Sequence, residues 1–107
     1  MQQISPLALQ QWLKDEHRTK PVLLDVRELW EFERCHIQGS TLVPMNQVPN
    51  RHAEVDAEAD VVVICHHGVR SFHVARFLEH NGFSKVYNLQ GGVDAWAQQV
   101  DPAMQKY

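Results

Sequence analysis

The run DVVVIC, residues 60–65, constrains the fold of this 107-residue chain more than any other stretch. Consecutive β-branched residues favour a β-strand, and an apolar run without polar alternation is typical of a strand buried on both faces. Strands of that kind occur mainly in parallel sheets that helices cover on both sides. The run therefore predicts an α/β protein in which this strand lies near the centre of the sheet.

Shorter apolar runs alternate with segments of helical periodicity along the rest of the chain. Strands are predicted for residues 21–26, 40–45, 60–65 and 85–89. Helices are predicted after Ser5-Pro6, over residues 28–35, from Ser71 to a stop at Asn81-Gly82, and over residues 93–100. Residues 48–55 fit one helical turn or two. The alternation predicts one domain over residues 1–107, with a parallel sheet between two layers of helices.

Composition excludes several classes of protein. The net charge of −3 gives no sign of a nucleic-acid partner or of an anionic membrane surface. The first residues lack the basic and then apolar pattern of a signal peptide, and the longest strongly apolar run is far too short to span a membrane. We therefore expect a soluble cytoplasmic protein with no nucleic-acid partner and no membrane partner.

The two cysteines, Cys35 and Cys65, are too few for a disulfide framework and lack the C-x-x-C spacing of a zinc or redox pair. Free thiols are expected in a cytoplasmic protein, although one bridge between the two cysteines is conceivable. No metal site is predicted, because His73 and His80 share a helical face without a third ligand at a sensible spacing. No cofactor is predicted either.

Cys65 ends the predicted central strand, at the sheet edge where open α/β proteins bind their ligands. The loop after it leads into a helix N-terminus, which favours anions, and a tight turn at Gly68 can direct successive amides inward. Arg70 adds a permanent cation. A free cysteine thiol is only about 3% ionised at pH 7, so groups that stabilise a thiolate would activate it. The alternative is that Cys65 packs as a small buried hydrophobe.

Three motifs resemble those of the rhodanese family, the sulfurtransferases, and specifically its single-domain members. LLDVRELWEFERCHIQGSTLVPM, residues 23–45, is similar to the first family signature, and CHHGVRS, residues 65–71, is similar to the C-x-x-G-x-R-S active-site loop. YNLQGGVDAW, residues 87–96, resembles the segment with a glycine pair and a tryptophan that follows the last strand. The resemblance implies a three-layer rhodanese-like fold with a central parallel sheet flanked by helices on both faces.

The resemblance also implies a thiosulfate sulfurtransferase activity. Cys65 would take a sulfur atom from a small anionic donor such as thiosulfate, form a persulfide, and pass the sulfur to cyanide or to a thiol, a protein thiol included. Arg70 would hold the anionic donor or product. The remaining substrate-binding residues implied by the motif are His66, His67, Gly68, Val69 and Ser71. A persulfide carrier that serves a protein partner is the alternative within the same chemistry.

Loop length separates this prediction from other chemistry on the same fold. Related phosphatases and arsenate reductases carry C-x5-R around a bulky oxyanion, whereas four residues separate Cys65 from Arg70 here. The shorter loop favours sulfur over phosphate or arsenate. His66 and His67 are adjacent, so we expect that their rings do not share one pocket.

Two further features of the first motif have a structural interpretation beside a functional one. Cys35 stands where the family pattern usually has glycine, and it is either a resolving thiol or a small side chain at a helix end. Asp25, Arg27 and Glu31 are interpreted as a structural charge cluster near the loop, with substrate contact as the alternative.

Overall fold

The computed structural model describes residues 1–107 and contains a five-stranded sheet in which every neighbouring pair is parallel. The strands in chain order are β1 (Gln2–Ile4), β2 (Val22–Asp25), β3 (Thr41–Leu42), β4 (Val61–Ile64) and β5 (Val86–Leu89). Their order across the sheet is β1-β5-β4-β2-β3, so β4 is the central strand. The prediction of a parallel sheet with residues 60–65 near its centre is confirmed.

Five helices accompany the sheet. They are α1 (Pro6–Lys14), α2 (Leu29–Arg34), α3 (Val48–Arg51), α4 (Val69–His80) and α5 (Gly92–Gln99). Short 3-10 turns over Met45–Gln47 and His52–Glu54 flank α3, so the segment 48–55 is one α-helical turn followed by a tighter one. No helix is both long enough and apolar enough to cross a membrane.

The side chains of β4 alternate between two hydrophobic cores, one on each face of the sheet. Val61 and Val63 pack in the core that contains residues of α4, whereas Val62 and Ile64 pack in the core that contains residues of α1 and α5. All four side chains are fully buried. Each such burial stabilises the fold by roughly 1.5–3 kcal/mol. The predicted three-layer α/β fold, with helices on both faces of a parallel sheet, is confirmed.

Helix ends follow local rules, with one difference from the prediction. Ser5 caps α1, since its hydroxyl oxygen accepts the N–H of Ala8 at 3.1 Å. The predicted start of the fourth helix at Ser71 was two residues late. Gly68 has a φ of +98°, a conformation that glycine adopts without strain, and it turns the chain directly into α4 at Val69.

Two strands differ from the sequence prediction. β1 was not predicted, because three residues with two glutamines carry no apolar pattern, and it gains its partner only when Gln2–Ile4 pairs with β5. The strand predicted over 40–45 is shortened to Thr41–Leu42. Beyond it the N–H groups of Val43 and Met45 still donate to the carbonyls of Asp25 and Val26, each at 2.9 Å, before the chain turns at Met45–Gln47. Neither difference alters the central strand that ends at Cys65.

Candidate active site

Cys65 follows β4 directly at the carboxyl edge of the sheet and is 1% exposed. Its Sγ atom accepts the backbone N–H of Gly68 at 3.1 Å and lies 3.3 Å from the hydroxyl oxygen of Ser71. Gly68 is the N-cap of α4 and Ser71 is its third residue, so the sulfur lies at the positive end of a 12-residue helix. In the β4–α4 loop, residues 65–68, the Cys65 sulfur thus lies beside a backbone N–H donor at the N-terminus of a helix.

Asn88 of β5 forms hydrogen bonds with both Ser71 and Gly68, and it was not predicted from the sequence. Its side-chain oxygen accepts the hydroxyl of Ser71, and its Nδ2 donates to the carbonyl of Gly68 and to Oε1 of Gln3, each at 3.1 Å. Asn88 is 2% exposed and all its polar atoms are satisfied. The available signal was a polar side chain within the buried strand VYNL.

The N-terminus of α5 fixes the orientation of the first two peptide groups after β4. The N–H of Val93 donates to the carbonyl of Cys65 at 2.9 Å, and the N–H of Asp94 donates to that of His66 at 3.1 Å. A trans peptide unit points its C=O and its N–H in opposite directions, and no peptide here is cis. The N–H groups of His66 and His67 are therefore directed away from α5.

Gly92 permits this close approach of α5 to the loop. A Cβ atom at Gly92 would lie 2.4 Å from the carbonyl oxygens of both Cys65 and His66. Its φ of +62° is a second reason for glycine, because side chains rarely adopt that backbone conformation. Gly92, the second glycine of the pair in the third motif, thus permits the contact between α5 and the β4–α4 loop.

Arg70 is bound to Glu31 of α2 rather than left free over the loop. Its Nη1 and Nη2 donate to the two carboxylate oxygens at 2.7 and 2.8 Å. The bidentate pair, together with the backbone N–H of Glu28, lowers the pKa of Glu31 from 4.5 to about 2 against the effect of burial, and it raises the pKa of Arg70. The assignment of Arg70 to an anionic donor stays a prediction.

Arg27 is the centre of the predicted charge cluster, and it is completely buried. It binds both carboxylate oxygens of Asp25, at 2.8 to 3.2 Å, and donates to the carbonyl of Cys35 at 2.6 Å. It also donates to the phenol oxygen of Tyr107 at 2.8 Å, and that hydroxyl donates to Glu31 at 3.0 Å. Burial is the largest cause that raises the pKa of Tyr107 to about 12. The two arginines bordering the loop are thus each balanced by a carboxylate.

The rings of His66 and His67 lie side by side, which the sequence analysis did not expect. Their centroids are 3.9 Å apart, and the ring of Tyr107 stacks on the other face of His66, also at 3.9 Å. Burial lowers the pKa of His66, and the neighbouring His67 lowers it further. Sequence reasoning missed Tyr107, because nothing in its local pattern indicates a contact with residues 41 and 76 positions away.

Val69 and Cys35 are the remaining residues that the sequence singled out. Val69 is 66% exposed, Leu29 58% and Trp30 57%, and the Arg70–Glu31 pair joins the two segments that carry them. We call these three exposed residues the apolar rim. Trp30 contacts Tyr107 edge to face at 5.7 Å. Cys35 is half-buried, and it and Cys65 are both free thiols, as predicted.

Comparisons with known proteins agree with the motifs. The model of the rhodanese-like domain family matches residues 9–99. The sulfurtransferase of Allochromatium vinosum is 36% identical over 97 residues, which are 90% of this chain and 88% of that protein. The putative sulfur carrier protein YrkF of Bacillus subtilis is 37% identical over 79 residues, which are 74% of this chain and 43% of that protein.

The same fold is found in a solved structure. The crystal structure of a rhodanese-like domain protein from Staphylococcus aureus has a TM-score of 0.83 at 30% identity, covering 100% of this chain and 99% of that chain. Some curated relatives are longer, and the chain spans between 30% and 64% of the length of three that it matches at 37% to 38% identity. By its motifs, its parallel sheet and these similarities, the chain belongs to the rhodanese-like domain family.

Proposed function

We propose that the protein is a sulfurtransferase that carries a sulfur atom on Cys65 as a persulfide. The observation that carries the proposal is the environment of the Cys65 sulfur, which accepts the N–H of Gly68 at the N-terminus of α4. The amides of His66 and His67 are directed away from α5 and are free to bind an anion on that side of the loop. A thiolate and a terminal persulfide sulfur are both anions that such donors stabilise.

The reaction has two displacement steps. The Cys65 thiolate attacks the outer sulfur of thiosulfate; the S–S bond of thiosulfate breaks, sulfite leaves with the bonding electron pair, and a Cys65 persulfide forms. An acceptor thiolate or cyanide then attacks the outer persulfide sulfur, and the electron pair of that S–S bond returns to Cys65. The products are a new persulfide or thiocyanate. No proton needs to move if Cys65 and the acceptor begin as thiolates.

We assign the binding of the sulfur anion to residues 66–71. The backbone amides contribute more than the imidazole rings, because the rings of His66 and His67 stack on each other and neither forms a hydrogen bond with the Cys65 sulfur. Cys65 is 1% exposed, so a donor must present its sulfur end-on. Thiosulfate and an extended persulfide both have such a terminal sulfur. We place this reaction in the cytoplasm, where free thiols persist.

Intact-protein mass spectrometry tests the proposal. Incubation with thiosulfate should add the mass of one sulfur atom, and Cys65→Ser should remove the adduct. Cys35→Ser is the matched control, since it removes the other free thiol and should leave the adduct unchanged. An unmodified wild-type protein, or an adduct that persists in Cys65→Ser, would contradict the proposal.

A protein persulfide or protein thiol as the physiological partner is the second candidate, and the pairing of Arg70 favours it. A guanidinium bound through both terminal nitrogens to Glu31 has little charge left to attract a dianion such as thiosulfate. The apolar rim of Leu29, Trp30 and Val69 offers contact area that a small anion cannot use. The similarity to a putative sulfur carrier protein points in the same direction.

Kinetic comparison of two donors separates the candidates. If a protein partner is the natural donor, Leu29→Ala should slow sulfur transfer from a persulfidated protein and leave transfer from thiosulfate unchanged. Leu7→Ala is the matched control, because Leu7 lies in the first turn of α1 and is 51% exposed, close to the 58% of Leu29. Equal effects of Leu29→Ala on both donors, or faster turnover with thiosulfate, would contradict this candidate.

A further inference from the structure

The side chains of His66, His67 and Asp94 form a cluster for which sulfur transfer gives no role. One ring nitrogen from each histidine and one carboxylate oxygen all lie within 4.8 Å of one another. Two of the three residues come from the β4–α4 loop and the third from the first turn of α5. No metal site was predicted from the sequence, because the histidines of α4 have no third ligand at a sensible spacing and these three residues meet only in the folded chain.

The backbone around the cluster is held in place without any ion. The N–H of Asp94 donates to the carbonyl of His66 at 3.1 Å, so the loop and α5 are joined directly at the cluster. The ring of His66 stacks on the ring of Tyr107, with centroids 3.9 Å apart, which limits its rotation. Gln98 donates to Oδ2 of Asp94 at 3.2 Å and orients the carboxylate from one turn further along α5. Such outer contacts are typical of the support that orients metal ligands.

The distances leave a gap that suits an ion better than a direct contact. Nε2 of His67 lies 4.0 Å from Oδ2 of Asp94, which is too long for a hydrogen bond. Tetrahedral zinc, with bonds of roughly 2.0–2.2 Å, separates its ligand atoms by about 3.3 Å. A closure of about 1.5 Å or less, together with a rotation of the His67 ring out of its stack on His66, would therefore complete the site. The His67 side chain, which is 63% exposed, is free to make that movement.

We propose that His66, His67 and Asp94 bind one Zn²⁺ ion, with a fourth coordination position open to water. Two imidazoles and one carboxylate are a donor set that zinc accepts, whereas magnesium and calcium prefer oxygen ligands alone. Ligation ties both histidines of the β4–α4 loop to α5. It also adds two positive charges beside a loop whose arginines are already paired with carboxylates.

Zinc titration against a chromogenic chelator tests the site, using the full chain without an affinity tag. The chain carries Cys35→Ser and Cys65→Ser so that thiols do not contribute and the result does not depend on sulfur transfer. One Zn²⁺ per chain should bind. His67→Ala and Asp94→Asn should each weaken the affinity about tenfold or more. His73→Ala is the matched control, an exposed histidine on α4 whose loss should change nothing.

Cobalt gives a second measurement that does not depend on competition. Co²⁺ bound at the site should show the visible spectrum of a low-coordinate ion with nitrogen and oxygen ligands, and Asp94→Asn should remove it. Circular dichroism of each variant should match that of the parent chain. The proposal is overturned by binding of less than one zinc ion per chain. It is equally overturned if His67→Ala and Asp94→Asn bind zinc as tightly as the parent, or if cobalt shows only its aqueous spectrum.

Discussion

Replacing Glu31 by glutamine should cost the fold more at neutral pH than in acid. The carboxylate of Glu31 accepts four hydrogen bonds, two from Arg70, one from the backbone of Glu28 and one from Tyr107. Glutamine keeps the shape and one acceptor oxygen, but it turns an amide N–H toward a guanidinium that can only donate. The substitution therefore removes the charge on which both arginine contacts depend.

The magnitude follows from the pKa of Glu31, which falls from 4.5 to about 2 in the folded protein. Each pKa unit corresponds to about 1.4 kcal/mol, so the ionised form is favoured by about 3 kcal/mol. The Arg70 side chain is one-third exposed, and water around it reduces the expected loss in Glu31→Gln to about 2 kcal/mol. Because the folded pKa lies below the unfolded one, this contribution is complete above about pH 4.5 and is lost as the pH falls toward about 2.

Urea denaturation of the wild type and Glu31→Gln checks the prediction. The difference in unfolding free energy should be about 2 kcal/mol near neutral pH and should shrink to about two-fifths of that near pH 3. Glu33→Gln is the matched control, an exposed glutamate of α2 that should give no such difference. A difference of the same size at both pH values would refute the role assigned to the Glu31 charge.

Three further substitutions test the support of the β4–α4 loop. Gly92→Ala places its Cβ atom 2.4 Å from two backbone oxygens of the loop. It should reduce the unfolding free energy by about 1–3 kcal/mol more than Gly39→Ala and should slow sulfur uptake. Gly39 also has a positive φ but no neighbour within 4 Å, so equal losses in the two variants would contradict the steric account. Ser71→Ala leaves the Asn88 oxygen without its donor and should cost about 1–3 kcal/mol in urea denaturation, and a neutral result would contradict this hydrogen-bond account. Tyr107→Phe should remove from the ultraviolet titration a phenol that ionises with a pKa of about 12. Loss of a phenol that titrates near its usual value of about 10 would contradict the burial and pairing of Tyr107.

The sequence was sufficient where local chemistry decides the structure. Five apolar residues in a row specify a strand buried on both faces, and β4 is fully buried at the centre of the sheet. The position of Cys65 follows from that strand, because a residue that ends a central parallel strand lies at the carboxyl edge of the sheet. The glycine at position 68 indicated a tight turn, and the structure shows it with a φ of +98°.

The contacts that surround the loop could not be predicted, because they join residues that are far apart in the chain. Glu31 and Arg70 are 39 positions apart, and Tyr107 is 76 positions from Glu31. The sequence indicates a charge cluster at Glu31 and an anion-binding cation at Arg70, but no local pattern links these two residues to each other or to Tyr107. Their pairing depends on where α2 and residues 101–107 pack, which is decided by the tertiary structure and not by local propensity.

The contact between α5 and the β4–α4 loop has an electronic consequence. Each α5 amide that donates to the carbonyl of Cys65 or His66 draws electron density toward that oxygen. A peptide unit polarised at its C=O becomes a stronger donor at its N–H, because the two groups share one delocalised π-system. Helix α5 thus strengthens the N–H donors of His66 and His67, although it lies on the opposite side of their peptide groups. In this arrangement the N-terminus of α5 would act on an anion bound by either N–H through the one peptide unit that carries it.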